Sequence, residues 1–216
     1  MARSRKLSRV EEKSVRRSGF RSQNPTVLVV CEGEETEIKY FSALKKIYRG
    51  FGIDIKPTNT KFTDALNIVN NALLQMEKHD INLQEGDTVW CVVDVDKNTT
   101  NQLNAAKKIA DDNGMSLILS NPCFEIWYLL HKKYTTSAYS NSDQVIVELE
   151  KNGFPKYAKN KDVYPELEKS ETTAIQNAIK LKRFHEADGN NLYSKKSNPS
   201  TAVYEVLEHL YNKKTK

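Results

Sequence analysis

The stretch VLVVCEGE, residues 27–34, decides the fold of this chain. Its first five residues are apolar and mostly β-branched, which is typical of a central strand in a parallel sheet covered on both faces. A second stretch, VWCVVDVD at residues 89–96, has the same form and also ends in acidic residues. Ligands of such sheets bind beyond the carboxyl ends of the strands. The two acidic segments are therefore expected at the same edge of one sheet.

Strands and helices alternate along the first half of the chain. The alternation favours right-handed βαβ units, and hence an α/β fold with a small parallel sheet flanked by helices. Strands are expected at 26–31, 53–56, 88–93 and 115–119, and helices at 36–48, 64–79 and 102–112. The second half is predicted to add helices at 123–131, 143–151, 172–184 and 200–212. The chain is therefore divided into a basic flexible arm at 1–24, an α/β core at 25–122 and a helical annex packed on the core at 123–216.

Four residues are expected to mark the ends of these elements. Thr63 and Asn101 are predicted to cap the second and third helices, because their side chains can accept hydrogen bonds from the first turn. Asn121 is predicted to cap the buried helix that follows, with Pro122 at its first position. Pro57 is expected to end the second strand, since it lacks an N–H group for the ladder.

Composition places the chain among globular proteins of a reducing compartment. Its 216 residues are 28% charged, and no apolar run approaches the ~20 residues that span a bilayer. The basic N-terminal segment lacks the apolar part of a secretory signal. The three cysteines show no C-x-x-C spacing, so buried free thiols are expected rather than a zinc site. We therefore expect a cytoplasmic protein.

Basic residues are concentrated in two segments, although the net charge is only +5. One segment is the N-terminal arm and the other covers residues 180–196. Lysine and arginine attract a phosphate backbone without regard to its sequence, although a solvated tail explains the arm equally well. The candidate nucleic-acid contacts are Arg16, Arg17, Arg21, Lys161, Lys182, Arg183, Lys195 and Lys196.

Glu32 follows the first strand, and Gly33 allows a tight turn into the next helix. A carboxylate at this point would repel a phosphate unless it binds a cation or transfers a proton. Glu32 is therefore a candidate site residue. For Glu34, Glu35 and Glu37, stabilisation of the helix dipole is the competing interpretation, and we prefer it for Glu35.

Two further acidic positions follow the third and fourth strands. Asp94 and Asp96 form a D-x-D; if the extended backbone continues, both lie on one face and can hold one divalent cation. Glu125 lies on an otherwise apolar helix, where a lone acid needs a partner. Its residue type and position leave two interpretations open: an ion pair, or a third acid of the metal site.

Three segments together resemble RloB-like proteins. They are VCEGEETE at 30–37 with Tyr40-Phe41 after it, DVD at 94–96, and NPCFEIWYLLH at 121–131. The RloB-like family includes components of bacterial abortive-infection systems and is similar to the wider Toprim group. The resemblance covers most of residues 25–212, and it implies a Toprim-like sheet.

The resemblance also implies a Mg²⁺- or Mn²⁺-dependent nuclease that is the toxic effector of an anti-phage system. Glu32, Asp94 and Asp96 would bind the metal, and Glu125 would complete the catalytic acids. A lysine that stabilises charge at the phosphate would come from the segment containing Lys156, Lys159 and Lys161. The implied partners are a nucleic acid (RNA, including tRNA, or DNA) and an AAA-type ATPase encoded nearby. No membrane partner is implied, and an oligomer of this chain is left open.

Two other functions use the same residues. In a non-catalytic nucleic-acid-binding or regulatory subunit, the acids would form structural ion pairs or a bare cation site. In a primase-like nucleotidyl transferase, the same acids would hold metal for chain extension. Labelled nucleoside triphosphates separate the second function from hydrolysis, because only transfer extends a primer.

Overall fold

A computed structural model of the chain describes residues 25–33, 35–49, 54–59 and 64–214. The basic arm expected at 1–24, with Arg16, Arg17 and Arg21, lies outside these described residues. Within them, no helix is both long enough and apolar enough to cross a lipid bilayer.

The described strands form one five-stranded sheet with the order β2-β1-β3-β4-β5. The first four strands are parallel to one another, and β5 pairs antiparallel with β4. The prediction of an α/β fold with a small, mainly parallel sheet is confirmed. The strands are β1 (Thr26–Cys31), β2 (Asp54–Asn59), β3 (Thr88–Asp94), β4 (Ser116–Asn121) and β5 (Ser200–Thr201).

Helices cover both faces of this sheet. In chain order they are α1 (Thr36–Tyr48), α2 (Ala65–Lys78), α3 (Thr100–Asp112), α4 (Glu125–Leu130), α5 (Ser142–Lys151), α6 (Tyr164–Leu167), α7 (Glu171–Ala187) and α8 (Val203–Lys214). Short 3-10 turns occur at Leu83–Glu85 and Glu168–Ser170. The short elements α6 and β5 were not predicted from the sequence, because four and two residues carry no measurable periodicity.

Several element ends differ from the sequence prediction for identifiable reasons. β2 continues through Pro57, which is tolerated because β2 lies at the edge of the sheet. Asp64 caps α2 by accepting a hydrogen bond from the Asn67 backbone N–H at 3.0 Å, and Thr63, the cap predicted from the sequence, lies outside the described residues. Thr99, not Asn101, caps α3, since it forms a reciprocal capping box that satisfies two backbone donors.

Asn121 does not cap a helix, because α4 begins only at Glu125. Its side-chain amide instead donates to the backbone oxygens of Lys195 and Ser197, at 3.2 and 3.0 Å. Asn121 therefore holds the segment before β5 against the end of β4, on the side of the sheet where the acidic residues lie.

The sheet separates two apolar clusters, because alternate side chains of each strand point to opposite faces. Val27, Val29 and Cys31 lie in one cluster with α1 and the buried side of the C-terminal helices. Leu28 and Val30 lie in the other, with α2 and α3. The C-terminal helices thus share their apolar cluster with the sheet. The prediction of buried free thiols is confirmed for Cys31, Cys91 and Cys123.

Candidate active site

A cleft of about 150 Å³ opens at the carboxyl ends of β1, β3 and β4. These strands are neighbours in the sheet, so the acidic residues that follow them are brought together from positions far apart in the sequence. The cleft is lined by Glu32, Gly33, Glu35, Thr36, Glu37, Asp94, Lys97, Phe124, Glu125 and Lys159. Three of the four predicted catalytic acids therefore lie in one cleft.

Glu32 is buried and both of its carboxylate oxygens accept hydrogen bonds. Oε2 accepts from the backbone N–H of Asp94 at 3.1 Å, and Oε1 accepts from Lys97 Nζ at 3.0 Å. Burial raises the pKa of Glu32, and the contact with Lys97 opposes this rise. The end of β1 is thereby joined directly to the end of β3, as expected from the two acidic stretches of sequence.

Asp94 is the last residue of β3 and is buried in the cleft. Its Oδ1 has no hydrogen-bond partner among the described residues. Burial raises the pKa of Asp94 well above its ordinary value, and the negative charges of Glu37, Glu32 and Glu125 raise it further. A cation near this oxygen would therefore be strongly stabilised.

The extended backbone ends at Asp94, so the expected placement of Asp96 on the same strand face is wrong. The backbone N–H of Val95 donates to the carbonyl oxygen of Ser120 at 2.9 Å, and that of Asp96 donates to Pro122 at 3.1 Å. These bonds turn the chain toward the end of β4. Asp96 lies outside the cleft lining, although its charge contributes to the raised pKa of Glu32.

Asn98 fixes this turn and was not predicted as a site residue. Its side-chain Nδ2 donates to the carbonyl oxygen of Asp94 at 2.8 Å, and its Oδ1 accepts from the backbone N–H of Ala65 at 2.7 Å. The turn after β3 is thus bonded to the first turn of α2. Asn98 is almost fully buried, and the sequence gives no specific signal for this role.

Glu125 reaches the cleft from the start of α4, with only 1% of its surface exposed. Its Oε1 accepts hydrogen bonds from Tyr157 Oη at 3.2 Å and from Thr36 Oγ1 at 3.3 Å, and lies 3.7 Å from Lys159 Nζ. In the part of the chain that is described, Oε2 has no hydrogen-bond partner. Glu125 thus pairs with the Lys159 ammonium group and also has an unpaired oxygen beside the other acids. The ion-pair interpretation and the metal-site interpretation are therefore compatible.

Glu37 is a fourth buried acid of the cleft, which the sequence reasoning missed. Burial raises its pKa to about 7, and the charges of Glu125 and Glu32 contribute to the rise. The signal was present, because Glu37 lies three and four residues before Tyr40 and Phe41 on the buried stripe of α1. The helix-dipole interpretation therefore does not describe this residue adequately.

Gly33 leaves room for the Glu37 carboxylate. A Cβ atom at Gly33 would lie 2.3 Å from Glu37 Oε2, far inside van der Waals contact. The absence of a side chain thus allows the Glu37 carboxylate to pack against the backbone that follows β1. The sequence indicated a glycine turn here, but not this close approach.

Among the described residues, Lys97 and Lys159 are the two basic side chains that line the cleft. Partial burial lowers the pKa of each ammonium group, but the neighbouring carboxylates outweigh this effect and raise it. Both lysines therefore stay charged. Lys156 and Lys161 are exposed and lie outside the lining, so Lys159 is the lysine of this segment that meets the acids.

The remaining predicted nucleic-acid contacts are dispersed. Lys195 is exposed, and its Nζ donates to the backbone oxygen of Asp96 at 3.2 Å, which places it beside the turn after β3. Lys196 and Arg183 are also exposed. Lys182 is partly buried near Glu205; burial raises the pKa of Glu205, and the charge of Lys182 opposes this rise. Of these residues, Lys195 is the one that contacts the surroundings of the cleft.

The carboxylates could hold a divalent cation, but they do not form a closed cage. As placed, no three His, Cys, Asp or Glu side chains of the described residues form a group that could hold a metal ion. Mg²⁺ commonly needs only one or two carboxylates, because water and substrate phosphate complete its octahedron. The unpaired oxygens of Asp94 and Glu125 are hard oxygen donors of the kind that Mg²⁺ and Mn²⁺ prefer. The donor set therefore fits such an ion.

The family model described as RloB-like protein matches residues 27–210. The chain therefore belongs to the RloB-like family, as the three sequence segments indicated. No curated protein and no solved structure matches the chain significantly.

Proposed function

We propose that this member of the RloB-like family is a metal-dependent nuclease that hydrolyses phosphodiester bonds and acts as the toxic effector of a bacterial anti-phage system. The observation that carries the proposal is the cleft at the ends of β1, β3 and β4, where buried acids are flanked by two charged lysines. Buried carboxylates with raised pKa values in a cleft are typical of reactive sites rather than of surface ion pairs.

The acids at this end of the sheet would have different roles at one metal ion. Glu32 and Asp94 would bind Mg²⁺ or Mn²⁺, joined by Asp96 from the adjacent turn, and Glu125 would assist through its unpaired Oε2. When bound, the metal would supply an activated water and offset the charge on the phosphate. The buried side chains hold these oxygens in place before substrate arrives, so little reorganisation is needed.

Glu37 is suited to proton transfer. With a pKa of about 7, its carboxyl group is half-protonated near neutral pH, which is the condition under which a general base or acid is most effective. Its carboxylate occupies the space that a side chain at Gly33 would take, beside the turn after β1. We therefore add Glu37 to the proposed catalytic acids.

The basic residues would position the nucleic acid. Lys159 would bind the phosphate from the Glu125 side of the cleft, and Lys195 from the side of the β3 turn. Phosphate contacts of this kind do not distinguish RNA from DNA, so RNA (including tRNA) and DNA are both proposed substrates. Residues 1–216 contain no P-loop motif, and the proposed AAA-type ATPase partner would supply ATP hydrolysis to the complex.

The proposal is tested by phage challenge of cells that carry the complete operon, with sequencing of the cut RNA and DNA ends. Asp94→Asn and Glu32→Gln are expected to abolish protection and cleavage while the protein still folds and binds nucleic acid. Glu35→Gln, which removes an exposed acid from the rim of the same cleft, is the matched control and should retain both. Cleavage retained by both site variants would overturn the nuclease proposal and favour a binding subunit. Primer extension by the wild type would instead identify nucleotidyl transfer.

A further inference from the structure

Lys97 is a largely exposed lysine that pairs with a buried acid of the cleft. Its Nζ lies 3.0 Å from Glu32 Oε1, yet 56% of its side chain is exposed, whereas only 3% of the Glu32 side chain is. The ion pair therefore joins a fixed buried acid to a base that extends into solvent. Lys97 also follows Asp96 directly, so it sits in the turn that carries the D-x-D.

The Lys97 ammonium group is the counter-ion of Glu32, with 3.0 Å between Nζ and Oε1. It belongs to the segment that also carries Asp94 and Asp96. These are the carboxylates proposed to bind metal. A divalent cation that binds Glu32 needs the same lone pairs and the same negative potential, and it would repel the ammonium group. Lys97 and the metal therefore cannot both keep their full interaction with Glu32.

Movement of Lys97 is physically easy. A lysine side chain has four rotatable methylene links and a compact, well-hydrated charge. Because more than half of the side chain is already in solvent, displacement from Glu32 requires no opening of the core. A phosphate held in the cleft would offer the released ammonium group a new negative partner. The backbone of the turn would stay in place, since the Asn98 side chain bonds to the Asp94 carbonyl.

We propose that Lys97 is an internal counter-ion that competes with the divalent cation for Glu32 and that, once displaced, binds a phosphate of the substrate. This inference rests on the proposed function, because it assigns a regulatory and positioning role within the same site. It links two events: metal binding frees the lysine, and the freed lysine strengthens nucleic-acid binding. The site would thus hold substrate tightly only when metal is present.

The first test measures metal binding without any nucleic acid. Purified full-length protein is titrated with MnCl₂, and free Mn²⁺ is followed by its electron paramagnetic resonance signal. Lys97→Met is expected to bind Mn²⁺ about two- to fivefold more tightly than the wild type, the range set by a partly exposed ion pair. Lys97→Arg should remain close to the wild type, because it keeps the competing charge. Lys108→Met, which removes an exposed lysine from α3, controls for the change in net charge.

The outcomes of this titration separate the inference from the proposed function. Saturable Mn²⁺ binding that Lys97→Met leaves unchanged or weakens would overturn the counter-ion role and leave the metal site standing. An absence of saturable Mn²⁺ binding in the wild type, or binding that Glu32→Gln does not affect, would overturn both. If Lys108→Met tightens Mn²⁺ binding as much as Lys97→Met does, the tightening comes from the change in net charge alone. That result would also overturn the inference.

The second test measures the affinity for a fluorescent single-stranded oligonucleotide with phosphorothioate linkages, with and without saturating Ca²⁺. In Ca²⁺, Lys97→Met is expected to bind at least about threefold more weakly than the wild type, because it lacks one phosphate contact. Without a divalent cation, the two proteins should bind equally, because Lys97 is then held by Glu32. An equal loss under both conditions, or no loss under either, would overturn the release of Lys97.

Discussion

Replacing Glu37 by Gln is expected to make the metal-free protein more stable at neutral and alkaline pH. The folded protein raises the pKa of Glu37 from its ordinary 4.5 to about 7. Because the folded state binds this proton more tightly than the unfolded state, Glu37 contributes full stability only below pH 4.5. That contribution is lost as pH rises toward and through 7. Gln keeps the shape of the side chain and has no charge to bury.

The size of the effect follows from the two pKa values. Their difference of about 2.5 pH units, at 1.36 kcal/mol for each, gives about 3 kcal/mol in the free energy of unfolding at pH 8. At pH 4.5 the same comparison gives only about 0.4 kcal/mol, because the group is then half-protonated even when unfolded. The repulsion between Glu37 and Glu125 is already part of this figure, because it contributes to the raised pKa of Glu37.

The measurement is urea-induced unfolding of the wild type and of Glu37→Gln between pH 4.5 and 8, with a chelator present. The free-energy difference between the two should grow with pH over this range. Other titrating groups are common to both proteins and cancel to first order. Glu35→Gln, which removes an exposed acid from the same rim, is measured alongside as the control for the loss of one surface carboxylate. A difference that stays constant from pH 4.5 to 8, or a variant less stable than the wild type at pH 8, would refute the assignment of Glu37 as a buried, proton-binding acid.

Four further outcomes are expected. Gly33→Ala should displace the Glu37 carboxylate, because its Cβ would lie 2.3 Å from Oε2; cleavage should fall at least tenfold in a nuclease assay, while the melting temperature changes little. Tyr157→Phe removes a hydrogen bond to Glu125, so we expect a loss of about 1 kcal/mol in transition-state stabilisation, or roughly fivefold in kcat/KM; an unchanged kcat/KM would show that Tyr157 does not position this acid. Mn²⁺ should raise the melting temperature of the wild type more at pH 8 than at pH 5, because protons compete for the same carboxylates; a larger rise at pH 5 would contradict this. Thr99→Ala should lower the free energy of unfolding by about 1 kcal/mol through loss of the capping box, without changing cleavage per folded molecule.

The sequence predicted the residues whose positions depend on strand ends. Glu32 and Asp94 each follow a buried apolar run, and parallel pairing of β1 with β3 necessarily brings their ends together. Glu125 was harder to place, because its role depends on Tyr157 and Thr36, which come from distant parts of the chain. Long-range side-chain contacts of this kind leave no periodic pattern in one sequence.

The errors also have physical causes. Asp96 was placed on a strand face because D-x-D has the period of an extended chain, whereas bonds from Val95 and Asp96 to the backbone after β4 end the strand at Asp94. For Glu37, stabilisation of the helix dipole stood as a competing interpretation, because acids are common in a first turn. Its burial was still readable, since it lies in register with Tyr40 on the apolar stripe of α1. A polar residue on a buried stripe was the overlooked signal.

The turn after β3 is cross-linked on both sides, by Asn98 to the start of α2 and by backbone bonds to the end of β4. Lys159 and Lys195, by contrast, lie on exposed segments outside regular secondary structure. The backbone that carries the carboxylates at the end of β3 is thus held by hydrogen bonds on both sides. The ammonium groups of Lys159 and Lys195 lie instead on loops, where residues are more easily substituted. Swapping residues 158–161 between relatives, with Tyr157 kept in place, should therefore alter how tightly a polynucleotide is held, yet leave the chemistry of the bond-breaking step intact.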